Sequence, residues 1–156
     1  MSDTFTPVYW NVAFIGRPVE HWWDVLSPWW ARHVVAFGYV PAVDAWVIVN
    51  PGVERTAVAA VPDRAFRGGV EAAALADMTT MVRIEAGACR ASEGRVLQTC
   101  ATIVARVIGR KSAWRPVGLL KHLKAEGAEV IHEHQGQGPK GRSRDAGAAE
   151  AGRAAG

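Results

Sequence analysis

Much of the first 61 positions is taken up by four segments rich in β-branched and aromatic residues, and the connections between the last three are only a few residues long. The segments are residues 6–15 (TPVYWNVAFI, ending at Gly16), 32–40 (RHVVAFGYV), 45–50 (AWVIVN) and 53–61. Residues of these types fit a pleated, half-buried surface. The second and third are joined by PAVD at 41–44, where Pro41 presets a turn, and Pro51-Gly52 closes the third. Connections this short join only antiparallel strands, because a parallel crossover needs a dozen or more residues. An antiparallel β-meander is therefore expected.

Helical patterns are interleaved with it and follow it. Residues 18–26, PVEHWWDVL, carry Pro18 where a first turn tolerates it and stop before Pro28. Residues 69–77 are alanine-rich and helical in pattern. Residues 79–87 form a further strand, and ASEG at 91–94 a loop. A helix is expected over 99–109, ending at Gly109 as a left-handed cap, and another over 113–126, capped by Ser112 and ending at Gly127. AEVIHEH at 128–134 is a short strand or loop. No internal repeat occurs. Strands first and most helices afterwards indicate an α+β fold, with helices packed on the meander.

The chain has 156 residues, 49% of them hydrophobic, enough for one core. That core belongs to a single globular domain over residues 1–134. Residues 135–156, QGQGPKGRSRDAGAAEAGRAAG, hold no large apolar side chain and are expected to be a disordered Gly/Ala/Arg-rich tail. The formal net charge is +3, of which +2 lies in this tail. A domain that reads nucleic acid carries a basic stripe on its folded surface, so no specific nucleic-acid partner is expected. No apolar run reaches the roughly 18 residues that span a bilayer, and MSDTFTPVYW is not a secretory leader. With two cysteines, Cys89 and Cys100, there is no disulfide framework and no zinc site, and a reducing cytoplasm is the expected location. HExxH, Walker, nucleophile-elbow and CxxC patterns are absent, so neither metal nor cofactor is expected.

Two residues combine into chemistry. His33 opens the second strand and Cys100 the helix that follows the last long strand. Cys100, Ile103, Val104, Val107 and Ile108 share one apolar stripe. A helix N-terminus favours the thiolate, because its unpaired N–H groups and dipole attract an anion, and an imidazole nearby can shuttle the thiol proton. If the 41–44 turn is centred near 42 and 43, paired positions in its hairpin sum to about 85. His33 then faces residue 52, with Asn50 one same-face step away. Asp44 lies about 20 Å off at the hairpin's other end. Asn50 is thus the expected orienting partner. The backbone N–H of Cys100 and the Gln98 side chain are candidates for holding an oxyanion. Against this stands the simpler reading of Cys100 as a buried core thiol and of His33 as a surface histidine. His132 and His134 alternate on a strand-like segment, a pattern more typical of a solvated edge than of metal ligands. Seven tryptophans are many for this length, and Trp30, Trp46 and Trp114 are candidates for lining a substrate groove.

The stretches ARHVVAFGYV, DAWVIVNPG and QTCATIVARVIGRKSAWRPVGLLKHL resemble a group of short tailed-phage proteins. The resemblance spans residues 9–125 and is carried by His33, Trp46, Asn50, Pro51, Thr99, Cys100, Gly109 and Trp114. The order of His before Cys is similar to that of the circularly permuted papain-like superfamily, including its lecithin retinol acyltransferase-like branch. In that branch a second His stands where this chain has Asn50, and Asn-Cys stands where it has Thr99-Cys100. The resemblance implies a permuted papain-like topology and acyl transfer or hydrolysis through a thioester. Cys100 would be the nucleophile, His33 the base and Asn50 the orienter, acting on a peptide, peptidoglycan or acyl substrate. The alternative is a non-catalytic structural or assembly module that binds through its tryptophans, within the virion or the cytoplasm.

Overall fold

The computed structural model describes residues 6–16, 26–52, 54–67, 78–87 and 98–133. The expected helices at 18–26 and 69–77, the 91–94 loop, Cys89, His134 and the 135–156 tail fall wholly or mainly outside these residues. Six strands form one sheet: β1 (Tyr9–Ile15), β2 (His33–Val40), β3 (Ala45–Pro51), β4 (Thr56–Pro62), β5 (Met78–Glu85) and β6 (Glu129–Glu133). Among the described residues three α-helical segments accompany them: a single turn α1 (Asp63–Ala65), then α2 (Cys100–Val107) and α3 (Pro116–Ala125), with short 3-10 turns at Trp29–Ala31 and Pro41–Val43. The fold is α+β, and every strand pair is antiparallel.

The strand order is β4-β3-β2-β1-β5-β6, so the meander ends at β4. The next strand, β5, joins the far side of β1. This places β1 at the centre, where six of its seven residues are buried. Strand pleating splits them between two faces. Trp10, Val12 and Phe14 enter the main core with Val34, Ala36, Val49, Val82 and Ile84, while Ala13 and Phe37 belong to a second cluster with Phe66.

Helices α2 and α3 cover the first face. The stripe that α2 buries is Ala101, Val104, Ala105 and Ile108, at the i, i+3, i+4, i+7 spacing of one helix face. It is rotated from the expected stripe: Cys100, Ile103 and Val107 sit on its flank, partly exposed. The small Ala101 and Ala105 allow the close approach to the sheet that a stripe of larger side chains would prevent. Helix α3 starts later than expected. Its N-cap is Arg115, with Pro116 in the first turn and no side-chain cap, so Ser112 does not cap it. Leu119 and Leu123 are fully buried, and each such side chain contributes about 2 kcal/mol of transfer free energy. Gly109 ends α2 at φ 73°, a left-handed conformation that costs other residues strain.

Two close contacts pin the ends of the sheet. A Cβ on Gly38 would lie 2.6 Å from Pro7 Cβ and 2.8 Å from the Tyr9 carbonyl oxygen, so only glycine lets the incoming chain cross β2 there. The β1–β5 ladder shifts register between Phe14 and Ile15. The buried Thr79 hydroxyl bonds the Phe14 carbonyl at 3.0 Å and the Trp30 carbonyl, satisfying oxygens near the irregularity.

Leu123→Ala should lower the unfolding free energy by about 2–5 kcal/mol in urea titration, through the cavity it leaves. Val58→Ala, on the exposed edge strand β4, should change it by less than about 0.5 kcal/mol.

Candidate functional site

The β2–β3 ladder sets the first half of the site. Its partners run from Val40↔Ala45 to Ala36↔Val49, each summing to 85 as the turn chemistry predicts. Continuing that ladder, Asn50 stands beside Val35, diagonal to His33 on the same face. Diagonal neighbours are near enough for long side chains to touch. They do: His33 Nε2 lies 2.7 Å from Asn50 Oδ1. The amide oxygen only accepts, so the imidazole donates to it from Nε2. His33 is 5% exposed, while Asn50 is open to solvent. The imidazole is therefore a held, buried group at the start of a central strand.

Helix α2 supplies the second half. Thr99 is its N-cap: the Thr99 side chain accepts from the Thr102 N–H at 3.2 Å, and the Thr102 hydroxyl accepts from the Thr99 N–H at 2.7 Å. This reciprocal box rigidifies the turn that presents Cys100. Cys100 is partly buried. It packs against the main apolar cluster, which also takes in Trp30, Ala31 and Val34 on either side of His33. His33 itself, alternating with Val34 and Ala36 of that core, lies with Asn50 on the face of the sheet opposite α2, so the pleat puts the imidazole and Cys100 on different sides of β2. Gln98, just before the cap, is exposed. The Thr99 hydroxyl also donates to the Trp114 carbonyl at 2.9 Å, tying the loop before α3 to the residue preceding Cys100. Trp114 itself is 46% exposed.

Trp46 lies elsewhere. It sits four residues from Asn50 on β3, about 13 Å at the strand rise. Its ring stacks on Phe66 with centroids 4.4 Å apart, and its indole N–H donates to Asp63 Oδ1 at 2.7 Å. Arg67 reaches both Asp63 oxygens, at 3.0 and 2.8 Å. Trp46 therefore clamps the turn after β4 onto the second face of the sheet. The indole N–H and the Arg67 guanidinium hold the Asp63 carboxyl below its ordinary value of 3.8. At the same end Tyr39 donates to Asp44 at 2.6 Å, and that bond to a carboxylate pushes its phenol above 10.0. This clamp escapes a reading of strand and helix periods. Its signal is Pro62-Asp63 directly after an apolar strand, a turn start with its own acceptor. The Thr99–Thr102 spacing is the corresponding signal for the box.

Among the described residues no group of three or more His, Cys, Asp or Glu is placed to hold a metal, and no helix is long and apolar enough to cross a membrane. Comparison with known protein families, with curated proteins and with solved structures finds no match to this chain.

Thr99→Ala should cost about 1 kcal/mol, read from the urea midpoint, because the first turn of α2 loses its cap. The clamp gives a pH signature. A carboxyl whose folded value is depressed stabilises the protein above its unfolded value, near 3.8, and that contribution disappears as pH falls through the lower folded value. The melting-temperature gap between wild type and Asp63→Asn should therefore be widest near neutral pH and narrow progressively below about pH 4.

Proposed function

We propose that this chain is a cysteine hydrolase or acyltransferase of permuted papain-like topology, acting on an amide or ester through a thioester. The observation that carries the reading is the 2.7 Å contact of His33 Nε2 with Asn50 Oδ1. It holds the imidazole at the start of β2, and Cys100 stands at the capped N-terminus of α2, where a thiolate is favoured.

In this mechanism His33 takes the Cys100 thiol proton. The sulfur attacks the carbonyl carbon and forms a C–S bond. The oxyanion is held by the Cys100 backbone N–H, with the Gln98 side chain beside it. As the tetrahedral centre collapses, the C–N or C–O bond breaks and the imidazolium returns the proton to the leaving nitrogen or oxygen. His33 then deprotonates water, or an acceptor amine or alcohol, which attacks the thioester and releases the thiolate. Asn50 holds the ring throughout. Trp30 and Trp114 flank the site as substrate-contacting surfaces, and a peptide, peptidoglycan stem or acyl ester is the substrate class.

The competing reading is a binding or assembly module without turnover, favoured by the exposed Trp114 ring. Iodoacetamide labelling followed by mass spectrometry between about pH 4 and pH 9 separates the two. On a Cys89→Ser background, Cys100 should label with an apparent pKa well below the free-thiol value of about 8.5. His33→Ala should return it toward that value, and Asn50→Ala should do so in part. Labelling only after addition of denaturant, or an ordinary thiol profile that His33→Ala leaves unchanged, sinks the enzyme reading.

A further inference from the structure

The loop between α2 and α3 carries a feature that the proposed chemistry does not use. Residues 110–115 run back along α2 from its C-terminal end to its start, where the Trp114 carbonyl meets the Thr99 hydroxyl. Ala113 and Pro116 are buried on either side of Trp114 and Arg115. The two side chains are thus projected to solvent from a pinned backbone. The Arg115 guanidinium lies over the Trp114 ring, 5.3 Å from its centroid. Arg110 is engaged by Glu126 at 3.5 Å and by the Glu85 carbonyl at 2.8 Å, which leaves its charge committed within the protein. Arg115 is exposed and pairs with no carboxylate among the described residues.

Stacking on indole holds a guanidinium plane while leaving its N–H edge open. That edge has the fork geometry that matches a carboxylate bidentately. We propose that Trp114 and Arg115 are specificity-determining residues that select an acyl substrate bearing a carboxylate near the scissile bond. Arg115 pairs with the carboxylate, and Trp114 covers the adjoining apolar part of the chain. The assignment rests on the reading of Cys100 as nucleophile. The anchor to Thr99, one residue before Cys100, holds the Trp114 backbone at the start of α2.

The test uses two haloacetyl probes of equal length, iodoacetyl-glycylglycine and its C-terminal amide. In each, the Cys100 sulfur displaces iodide and forms a C–S bond, so the chemistry is common and only the remote charge differs. Both are run on the full chain with Cys89→Ser. The proposal expects the carboxylate probe to label Cys100 about three- to tenfold faster than the amide. Arg115→Gln should bring that ratio to about one, Arg115→Lys should keep part of it, and added salt should reduce it. Equal rates in the wild type, or a preference that survives Arg115→Gln, overturn the proposal. The amide probe's pH profile reports separately on the nucleophile. A depressed Cys100 pKa with equal probe rates leaves the enzyme reading standing and removes only the role of Arg115. A Cys100 that neither probe reaches in the folded protein removes both.

Discussion

The register of the β2–β3 hairpin is the constraint on which the candidate site depends. Strand side chains alternate faces, so a slip of one residue would carry Asn50 to the helix-covered side and away from His33. The turn resists that slip. Pro41 opens it, Asp44 closes it in a left-handed conformation at φ 48°, and the Asp44 N–H bonds the Pro41 carbonyl at 3.3 Å. Tyr39 then bonds the Asp44 carboxylate from the adjoining strand. An aspartate tolerates the left-handed region better than most residues and here also supplies the acceptor. The pair at the far end of the hairpin is thus set by chemistry at the turn.

The two faces of the sheet are stabilised by different means. One is a mainly aliphatic core from β1, β2, β3 and β5, with Trp10 and Phe14 of β1 in it, beneath α2 and α3. The other has a compact aromatic group, in which Phe37, Trp46 and Phe66 pack with centroids between 4.4 and 5.9 Å. A polar knot locks it, because Asp63 binds both the Trp46 indole and Arg67. The Asp63 N–H also bonds the Asp44 carbonyl at 3.1 Å, so the turn after β4 is fastened to the same hairpin end that sets the register. Packing on both faces therefore converges on β2 and β3, the strands that carry His33 and Asn50.

Helix α2 links this frame to the thiol. Its buried stripe of small and branched residues holds it against β2 and β3, its N-terminal box fixes the first turn, and its glycine-terminated end docks against Gly87 at the exit of β5. The Gly87 N–H bonds the Ile108 carbonyl at 3.2 Å, which satisfies one of the carbonyls a helix end leaves open. Both ends of α2 are thereby tied, and Cys100 occupies a defined, half-exposed place.

The local pattern of the chain determined a good deal. Alternating β-branched and aromatic residues marked β1, β2, β3 and β5. Pro41 through Asp44 set the hairpin sum, and with it the approach of Asn50 rather than Asp44 to His33. Gly109 and Gly127 marked the ends of α2 and α3. These are properties of neighbouring residues, legible because turn geometry and side-chain period act over a few positions. What only the tertiary structure decided acts over longer distances. The pairing of β5 with β1 rather than β4 depends on which strand edge can bury Val82 and Ile84 against the helices. The rotation of α2, which moves Cys100 to the flank of the buried stripe, depends on Ala101 and Ala105 fitting against the sheet. The engagement of Trp46 by Asp63 depends on a turn that joins β3 and β4 to the far face. In each case the deciding partner lies on another element, and a local pattern does not encode which surface will meet it.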